Sequence, residues 1–346
     1  MYHDTNTEGR KRDMEPFRFA IMGAGNIAGK FCEAVKLAEG CQVAAVASKS
    51  AQRAEAFAAK HGIPASYEGY ARMLKEAKPD CVYIAATCDA HYELSKLCLE
   101  HGVPVLCEKA MFLNSAQAEE IFAISEKSGI FVMEAMWSRF LPAVKRAKEW
   151  IRQGRIGKPV LAQIDIGFRA PQDADNRYMN PALGGGAAFD LTVYTYELAD
   201  FFIEQKAQEM QVSAMWSASG VDVTDTVLVR YDSAMAVLTS SFMTGLEEKA
   251  VIYGEKGRIV LPKPHFASQT ILECQGLQPE LEEGERLMPD GRLLYMDEVT
   301  KNGFVYEIQE TIRCVREGRT ESQVVPHALT LSCARLFDRI METRPR

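Results

Sequence analysis

Several things are scarce in this chain, and each scarcity excludes a class of protein. No uninterrupted apolar stretch approaches the length of a membrane-spanning helix, so no membrane partner is expected. Basic residues are not in surplus: 40 Lys and Arg stand against 47 Asp and Glu, giving a net charge of -7. With no basic stripe to follow a phosphate backbone, nucleic-acid binding is excluded as well. Cysteine pairing is also missing. The nine cysteines, at 32, 41, 81, 88, 98, 107, 274, 314 and 333, are odd in number and form no C-x-x-C. They fit reduced, buried thiols in a cytoplasmic protein and give neither a disulfide framework nor a metal site. The first sixteen residues, MYHDTNTEGRKRDMEP, lack the apolar core of a signal peptide and read as a flexible leader. Internal repeats and low-complexity tracts are absent.

What remains is ordinary globular composition, 47% hydrophobic and 25% charged over 346 residues, enough chain for two domains with sizeable cores. From 17 to about 137, short apolar runs at 19–22, 43–47, 81–85, 103–107 and 130–133 alternate with helical patterns near 26–39, 51–60, 69–77, 90–101 and 115–128. That rhythm predicts an α/β fold: a doubly wound parallel sheet of the Rossmann type, with helices on both faces. From 138 to 346 the texture changes. Runs at 160–168, 209–216, 226–231, 235–242, 249–253, 258–261 and 270–274 read as strands of an open, mostly antiparallel sheet. Helices are expected at about 142–153, 186–202, 303–317 and 326–342.

The first strand runs into Gly23-Ala-Gly25-Asn26-Ile27-Ala28, a G-x-G-x-x-A turn that opens a helix. Gly23 suits the tight turn, Gly25 lets backbone approach a pyrophosphate, and Ala28 lets helix pack close to strand. Asn26 and Ile27 begin the helix whose N-terminal N–H groups would face the anion. The same turn also serves a doubly wound sheet that holds no ligand. At the end of the second strand an NAD-binding chain carries an acid for the ribose hydroxyl, whereas this one reads Ser48-Lys49-Ser50 with Arg53 one helical turn on. Lys49 and Arg53 are placed to clamp a 2′-phosphate, which favours NADP over NAD.

Ligands lie outside the carboxyl ends of the strands in such a sheet. Two segments reach that edge: Thr87-Cys-Asp-Ala-His91 and Glu108-Lys109-Ala110. In the second half, Gly184-Gly-Gly186-Ala-Ala-Phe-Asp190-Leu-Thr-Val-Tyr194 sets an acid and a tyrosine four residues apart on one helix face. If that face looks into the cleft, Lys109 and Tyr194 form an acid/base pair. A free tyrosine, with a pKa near 10, is a poor base at neutral pH; a neighbouring ammonium favours the phenolate and would bring it toward the working range. His61 and His101 read as helix-end residues. His265 and His327, beside prolines, read as loop or helix-start residues without a catalytic part, and Trp216 and Tyr253 as sheet packing.

The segments GAGNIA, VASKSAQRAEAFAAKHGIP, CEKA, MEAMWSRFLP, GRIGKP, GGGAAFDLTVY, VRYDSAMAVLTSSF, IYGEKGRIVLP and GFVYEIQETIRCVREGRTES span nearly all of residues 17–338. Together they resemble the glucose-fructose oxidoreductase and inositol dehydrogenase family, in particular its dimeric dihydrodiol dehydrogenase branch. The resemblance implies NAD(P)-dependent hydride transfer at the hydroxyl carbon of a sugar, polyol or diol. It also implies a homodimer or homotetramer assembled through the carboxyl-terminal sheet. By position, Lys109 matches a lysine that contacts substrate and nicotinamide ribose, Tyr194 the acid/base tyrosine, and Asp190 the acid one turn before it. Lys49 and Arg53 match cations around the 2′-phosphate, and Ser48 beside them is read as a cofactor-binding position. Thr87, His91 and Glu108 match cofactor-lining positions, and Trp137 and Arg139 positions near the nicotinamide. One residue departs from the pattern: the family's Glu-Lys-Pro is Glu-Lys-Ala here. Proline favours a cis peptide at that step and alanine does not, so both isomers of the 109–110 bond remain open. The same departure keeps alive a second function, an NAD(P)-binding sensor of this fold without turnover.

Overall fold

The computed structural model describes residues 15–274 and 281–345. Of the expected leader, residues 1–14 lie outside that range. The first half is built on six parallel strands: β1 (Phe17–Met22), β2 (Cys41–Ser48), β3 (Ala65–Glu68), β4 (Cys81–Ile84), β5 (Val105–Glu108) and β6 (Val132–Ala135). Their order is β3-β2-β1-β4-β5-β6, so the winding reverses between β1 and β4 and opens a crevice there. The helices between them are α1 (Asn26–Leu37), α2 (Ala51–His61), α3 (Tyr70–Ala77), α4 (Cys88–Glu100) and α5 (Ser115–Ser128).

Local chemistry explains the boundaries. Ser50 caps α2 by accepting from the Arg53 N–H at 3.4 Å, and Asn114 caps α5 by accepting from the Gln117 N–H at 3.0 Å. Gly62 and Gly129 end those helices in left-handed geometry. The strands are apolar on both faces because helices cover both: Phe19, Ile21, Tyr83 and Phe31 are fully buried, with Phe31 stacked on Tyr83 at 3.8 Å. Each such side chain contributes roughly 1.5–3 kcal/mol by leaving water.

A 3-10 turn (Trp137–Phe140) and α6 (Pro142–Arg152), which begins on proline, lead into the second sheet. Its strands are β7 (Pro159–Gly167), β8 (Glu209–Trp216), β9 (Asp222–Arg230), β10 (Met235–Ser241), β11 (Lys249–Gly254), β12 (Gly257–Pro262), β13 (Gln269–Cys274), β14 (Glu285–Leu287) and β15 (Leu293–Met296). The order is β14-β15-β13-β12-β11-β7-β10-β9-β8, and only the β7–β10 pair is parallel. One face packs against α7 (Val193–Ile203), which follows a π-helical turn at Ala188–Thr192. On the other face Met215, Leu228 and Met235 are exposed.

The last two helices, α8 (Phe304–Arg316) and α9 (His327–Glu342), return to the first sheet, α8 against α1 and α9 against α5. Asp338 accepts from the Ser115 N–H at 3.2 Å, Arg335 pairs with Glu119 at 2.9 Å, and the His327 ring stacks on Phe122 at 4.1 Å. Among the described residues no helix is long and apolar enough to cross a membrane. Three strands, β3, β14 and β15, and the π-turn go beyond the elements expected from the sequence.

Candidate active site

The turn after β1 admits no side chain at its first glycine. Gly23 has φ +110°, and a Cβ there would lie 2.6 Å from the Ala85 carbonyl oxygen at the end of β4. Gly25 is different: a Cβ added to it would meet nothing within 4 Å. It caps α1 without any side-chain bond to the helix, and Asn26 above it is exposed. The first N–H groups of a helix have no partner within it, and beside such open space they suit a pyrophosphate. Ile27 is half-buried against the core. At the end of β2, the Ser48 hydroxyl accepts from the Ser50 N–H at 3.3 Å. Lys49 and Arg53 beside it are exposed, and among the described residues neither side chain has an ion pair.

The end of β5 carries the densest chemistry. The Lys109–Ala110 peptide is cis. The Lys109 ammonium donates to Asp190 Oδ1 at 2.7 Å and to the Asp190 carbonyl at 2.9 Å. It also lies over the Tyr194 ring, 4.9 Å from the centroid. The Trp137 indole N–H donates to the Tyr194 hydroxyl at 3.0 Å. Lys109, Asp190, Tyr194 and Trp137, drawn from both halves of the chain, therefore form one cluster at the strand edge. Gly184 makes the approach possible, since a Cβ there would come within 2.7 Å of Cys88 Cβ at the start of α4.

Burial works against the Asp190 carboxylate, yet the Lys109 ammonium and the Arg177 guanidinium hold its pKa below the usual range. Burial likewise opposes the Lys109 ammonium, but Asp190 and Tyr194 raise its pKa above that of a free lysine. Tyr194 corrects the sequence expectation. Burial pushes its phenol up to about 12, and the opposing effects of Lys109 and of the Trp137 bond do not offset it. The physical reason is that Lys109 gives its hydrogen bonds to Asp190 and meets Tyr194 through the ring face.

The other expected positions divide. Thr87 is exposed at the start of α4. His91 is buried, with Nδ1 2.9 Å from the Ala110 carbonyl and Nε2 3.1 Å from the Ala86 carbonyl, so it ties the β4 loop to the β5 loop. Glu108 points inward and accepts from the Tyr83 hydroxyl, and burial raises its pKa. Arg139 is buried between Glu197 at 3.7 Å and Asp200 at 3.8 Å, with its guanidinium over Phe201. No hydrogen bond or ion pair among the described residues joins it to Lys109, Tyr194 or Asp190.

Two further residues stand at the cluster. Arg177, stacked on Tyr178 at 4.0 Å, lies 3.8 Å from Asp190. His265, read from the sequence as an inert loop residue, is buried with its ring 5.5 Å from that of Tyr194. It follows the segment IYGEKGRIVLP closely, but nothing in that segment marks a histidine for chemistry. A surface cavity of about 710 Å³ among Tyr253, Arg258, Glu273 and Arg292 holds none of these side chains.

Residues 17–136 match the model of an oxidoreductase family with an NAD-binding Rossmann fold, and residues 144–260 match the GFO/IDH/MocA C-terminal domain. The chain is 33% identical over 317 residues to trans-1,2-dihydrobenzene-1,2-diol dehydrogenase of Mus musculus, covering 90% of this chain and 92% of that one. It is 31% identical to the Homo sapiens enzyme of the same name, covering 89% and 91%. Among solved structures it is similar to aldose-aldose oxidoreductase of Caulobacter crescentus complexed with glycerol, with a TM-score of 0.82 and 21% identity over 95% and 97% of the chains. It also resembles the 3-ketoreductase KijD10 of Actinomadura kijaniata in complex with NADP and TDP-benzene, with a TM-score of 0.79 and 22% identity over 94% and 96%. Levoglucosan dehydrogenase in complex with NADH and levoglucosan superposes with a TM-score of 0.83 at 17% identity over 95% and 97%.

Proposed function

The chain belongs to the GFO/IDH/MocA oxidoreductase family and is an NAD(P)-dependent dehydrogenase acting on CH–OH groups; from that premise we propose that its cofactor is NADP and its substrate a sugar, polyol or trans-dihydrodiol. The observation that carries this reading is the meeting of Lys109, Asp190 and Tyr194 at the carboxyl end of β5, beside the crevice where the winding reverses. Gly23, Gly25, Asn26 and Ile27 would hold the pyrophosphate, and Ser48, Lys49 and Arg53 the 2′-phosphate. Relatives of known structure hold either NADP or NADH, so Lys49 and Arg53, exposed and without an ion pair among the described residues, are what favour NADP here.

The nicotinamide, when bound, supplies the hydride acceptor or donor. This chain's own part is to place the substrate hydroxyl and move its proton. Tyr194 Oη carries that proton, the Trp137 N–H fixes the direction of the oxygen, and Asp190 holds Lys109 in place. A phenol pushed up to about 12 is protonated at neutral pH and suits donation to a carbonyl. The first half of the chain, 17–137, is assigned to the cofactor, and 138–346 to substrate and oligomerisation. The exposed Met215, Leu228 and Met235 on the open sheet face support a homodimer or homotetramer formed there. Nine free cysteines support a cytoplasmic location.

The test is nicotinamide absorbance with a panel of sugars, polyols and trans-diols. Turnover that Tyr194→Phe abolishes is expected. Tight NADP(H) binding without turnover across the panel would favour the sensor reading instead.

A further inference from the structure

The 3-10 turn Pro264–Phe266 connects β12 to β13 and packs against the 3-10 turn that carries Trp137. It is tied at its start, where the Lys263 N–H donates to the Glu248 carbonyl at 2.6 Å and the Phe266 N–H to the Lys263 carbonyl at 2.8 Å. Two side chains of this turn meet the cluster in different ways. Phe266 is 55% exposed and its ring lies 5.4 Å from that of Trp137, so the two aromatics form an apolar wall. His265 is only 6% exposed, its ring 5.5 Å from that of Tyr194, and its Nδ1 is buried without a hydrogen-bond partner among the described residues.

A buried imidazole nitrogen without a partner is uncommon and destabilising, and at a binding site it is a place for a ligand atom. We propose that His265 is a specificity-determining residue that binds the hydroxyl adjacent to the one served by Tyr194, so that the site selects vicinal diols over simple alcohols. The proposal rests on the dehydrogenase reading above.

The surroundings give the imidazole the right chemistry for this. Burial, then the nearby Lys109 ammonium, lower its pKa to about 4, with Asp190 opposing and Lys263 adding to the effect. At neutral pH the ring is therefore uncharged, with one nitrogen able to donate and the other to accept. A hydroxyl can then either donate to Nδ1 or accept from it, according to the tautomer, whereas a charged ring could only donate. Sugars, polyols and dihydrodiols share an edge of neighbouring hydroxyls and a C–H face. Trp137 and Phe266 fit the face and His265 the edge.

The experiment measures the affinity of the enzyme–NADPH complex for trans-cyclohexane-1,2-diol and for cyclohexanol by ligand-observed NMR. The wild type is expected to bind the diol about tenfold more tightly, the worth of one hydrogen bond in a formed site. His265→Leu should bring that ratio close to one, and His265→Gln, which keeps a donor and an acceptor, should restore part of it, with NADPH affinity unchanged in both. Should His265→Leu fail to hold NADPH, the ratio in His265→Gln against wild type decides alone. A wild type that does not prefer the diol, including one that binds neither probe, overturns the proposal, as does an unchanged ratio in His265→Leu. The ratio does not depend on turnover and should survive Tyr194→Phe. A wild type that shows the ratio but turns over nothing leaves His265 in place and overturns the dehydrogenase reading alone.

Discussion

The Lys109 ammonium sits over the face of the Tyr194 ring, 4.9 Å from its centroid, and gives its short bond to Asp190 at 2.7 Å. Burial consequently dominates the phenol and pushes it up to about 12. Below that pH Tyr194 is a proton donor, so carbonyl reduction should be insensitive to pH through the neutral range, and alcohol oxidation should rise as pH increases toward the phenol pKa. Asp190→Asn removes a negative charge that raises the phenol and frees Lys109 to approach the oxygen. Its oxidation profile should move to lower pH, with a loss of about tenfold or more in kcat/KM from the disordered ammonium. A profile displaced upward in pH, or left where it was, would count against this account.

Two glycines of the same turn should respond oppositely to alanine. At Gly23 a Cβ would come 2.6 Å from the Ala85 carbonyl in a backbone with φ +110°, so Gly23→Ala should lose about 1–3 kcal/mol or more of stability in denaturant melts. Gly25 has open space and φ -100°. Gly25→Ala should keep its stability to within about 0.5 kcal/mol, while dinucleotide affinity drops at least about tenfold because the methyl occupies the anion's approach. Normal NADP binding by Gly25→Ala would remove the pyrophosphate from this turn.

The first sheet was largely readable because its strands are buried on both faces and its helices carry caps: the apolar runs around Phe19 and Val82, Ser50 and Asn114 all announce themselves. Its one omission, β3, spans only Ala65–Glu68 at the sheet edge, where no residue is buried. β14 and β15 are three and four residues long, too short for a periodic pattern. Lys109, Asp190 and Tyr194 could be singled out from strand-end position and helix spacing, and the structure brings them together. The π-turn through Asp190 leaves no mark in composition, since it differs from an α-turn only in its hydrogen-bond partner. Tyr194's raised pKa could not be foreseen either: the Lys109 ammonium is committed to Asp190, a pairing across the two halves of the chain that sequence spacing does not encode. His265 joins the site solely through tertiary folding.

Lys49 and Arg53 stand at the end of β2 and in the first turn of α2, both exposed. Each charge-assisted bond to a phosphate contributes about 1.5–3 kcal/mol, which corresponds to roughly tenfold to a hundredfold in affinity. The Lys49→Ala/Arg53→Ala double variant should therefore lose about a hundredfold or more in NADP affinity by titration calorimetry, and NAD affinity should change by no more than about threefold. Equal losses for the two dinucleotides would refute the phosphate clamp.

Behind the site, two fully buried acids hold the π-turn that carries Asp190. Asp222 accepts from the Ala188 N–H at 2.6 Å, and Asp225 from the Thr192 hydroxyl at 2.9 Å. Among the described residues the second oxygen of each carboxyl has no other partner, and the two acids meet each other through their side chains, so a proton shared between them satisfies both. Burial, and then the charge of Asp222, raise the Asp225 pKa well above the usual carboxylate range. With the folded pKa above the unfolded one, the stability contributed by this proton is fully present below the unfolded value and is lost as pH rises through the folded value. Asp225→Asn keeps a donor at every pH. Its melting temperature relative to the wild type should thus climb as pH is raised, from near or below the wild type in acid to above it in alkali. A difference that stays constant with pH, or shrinks, would show that no proton is shared there.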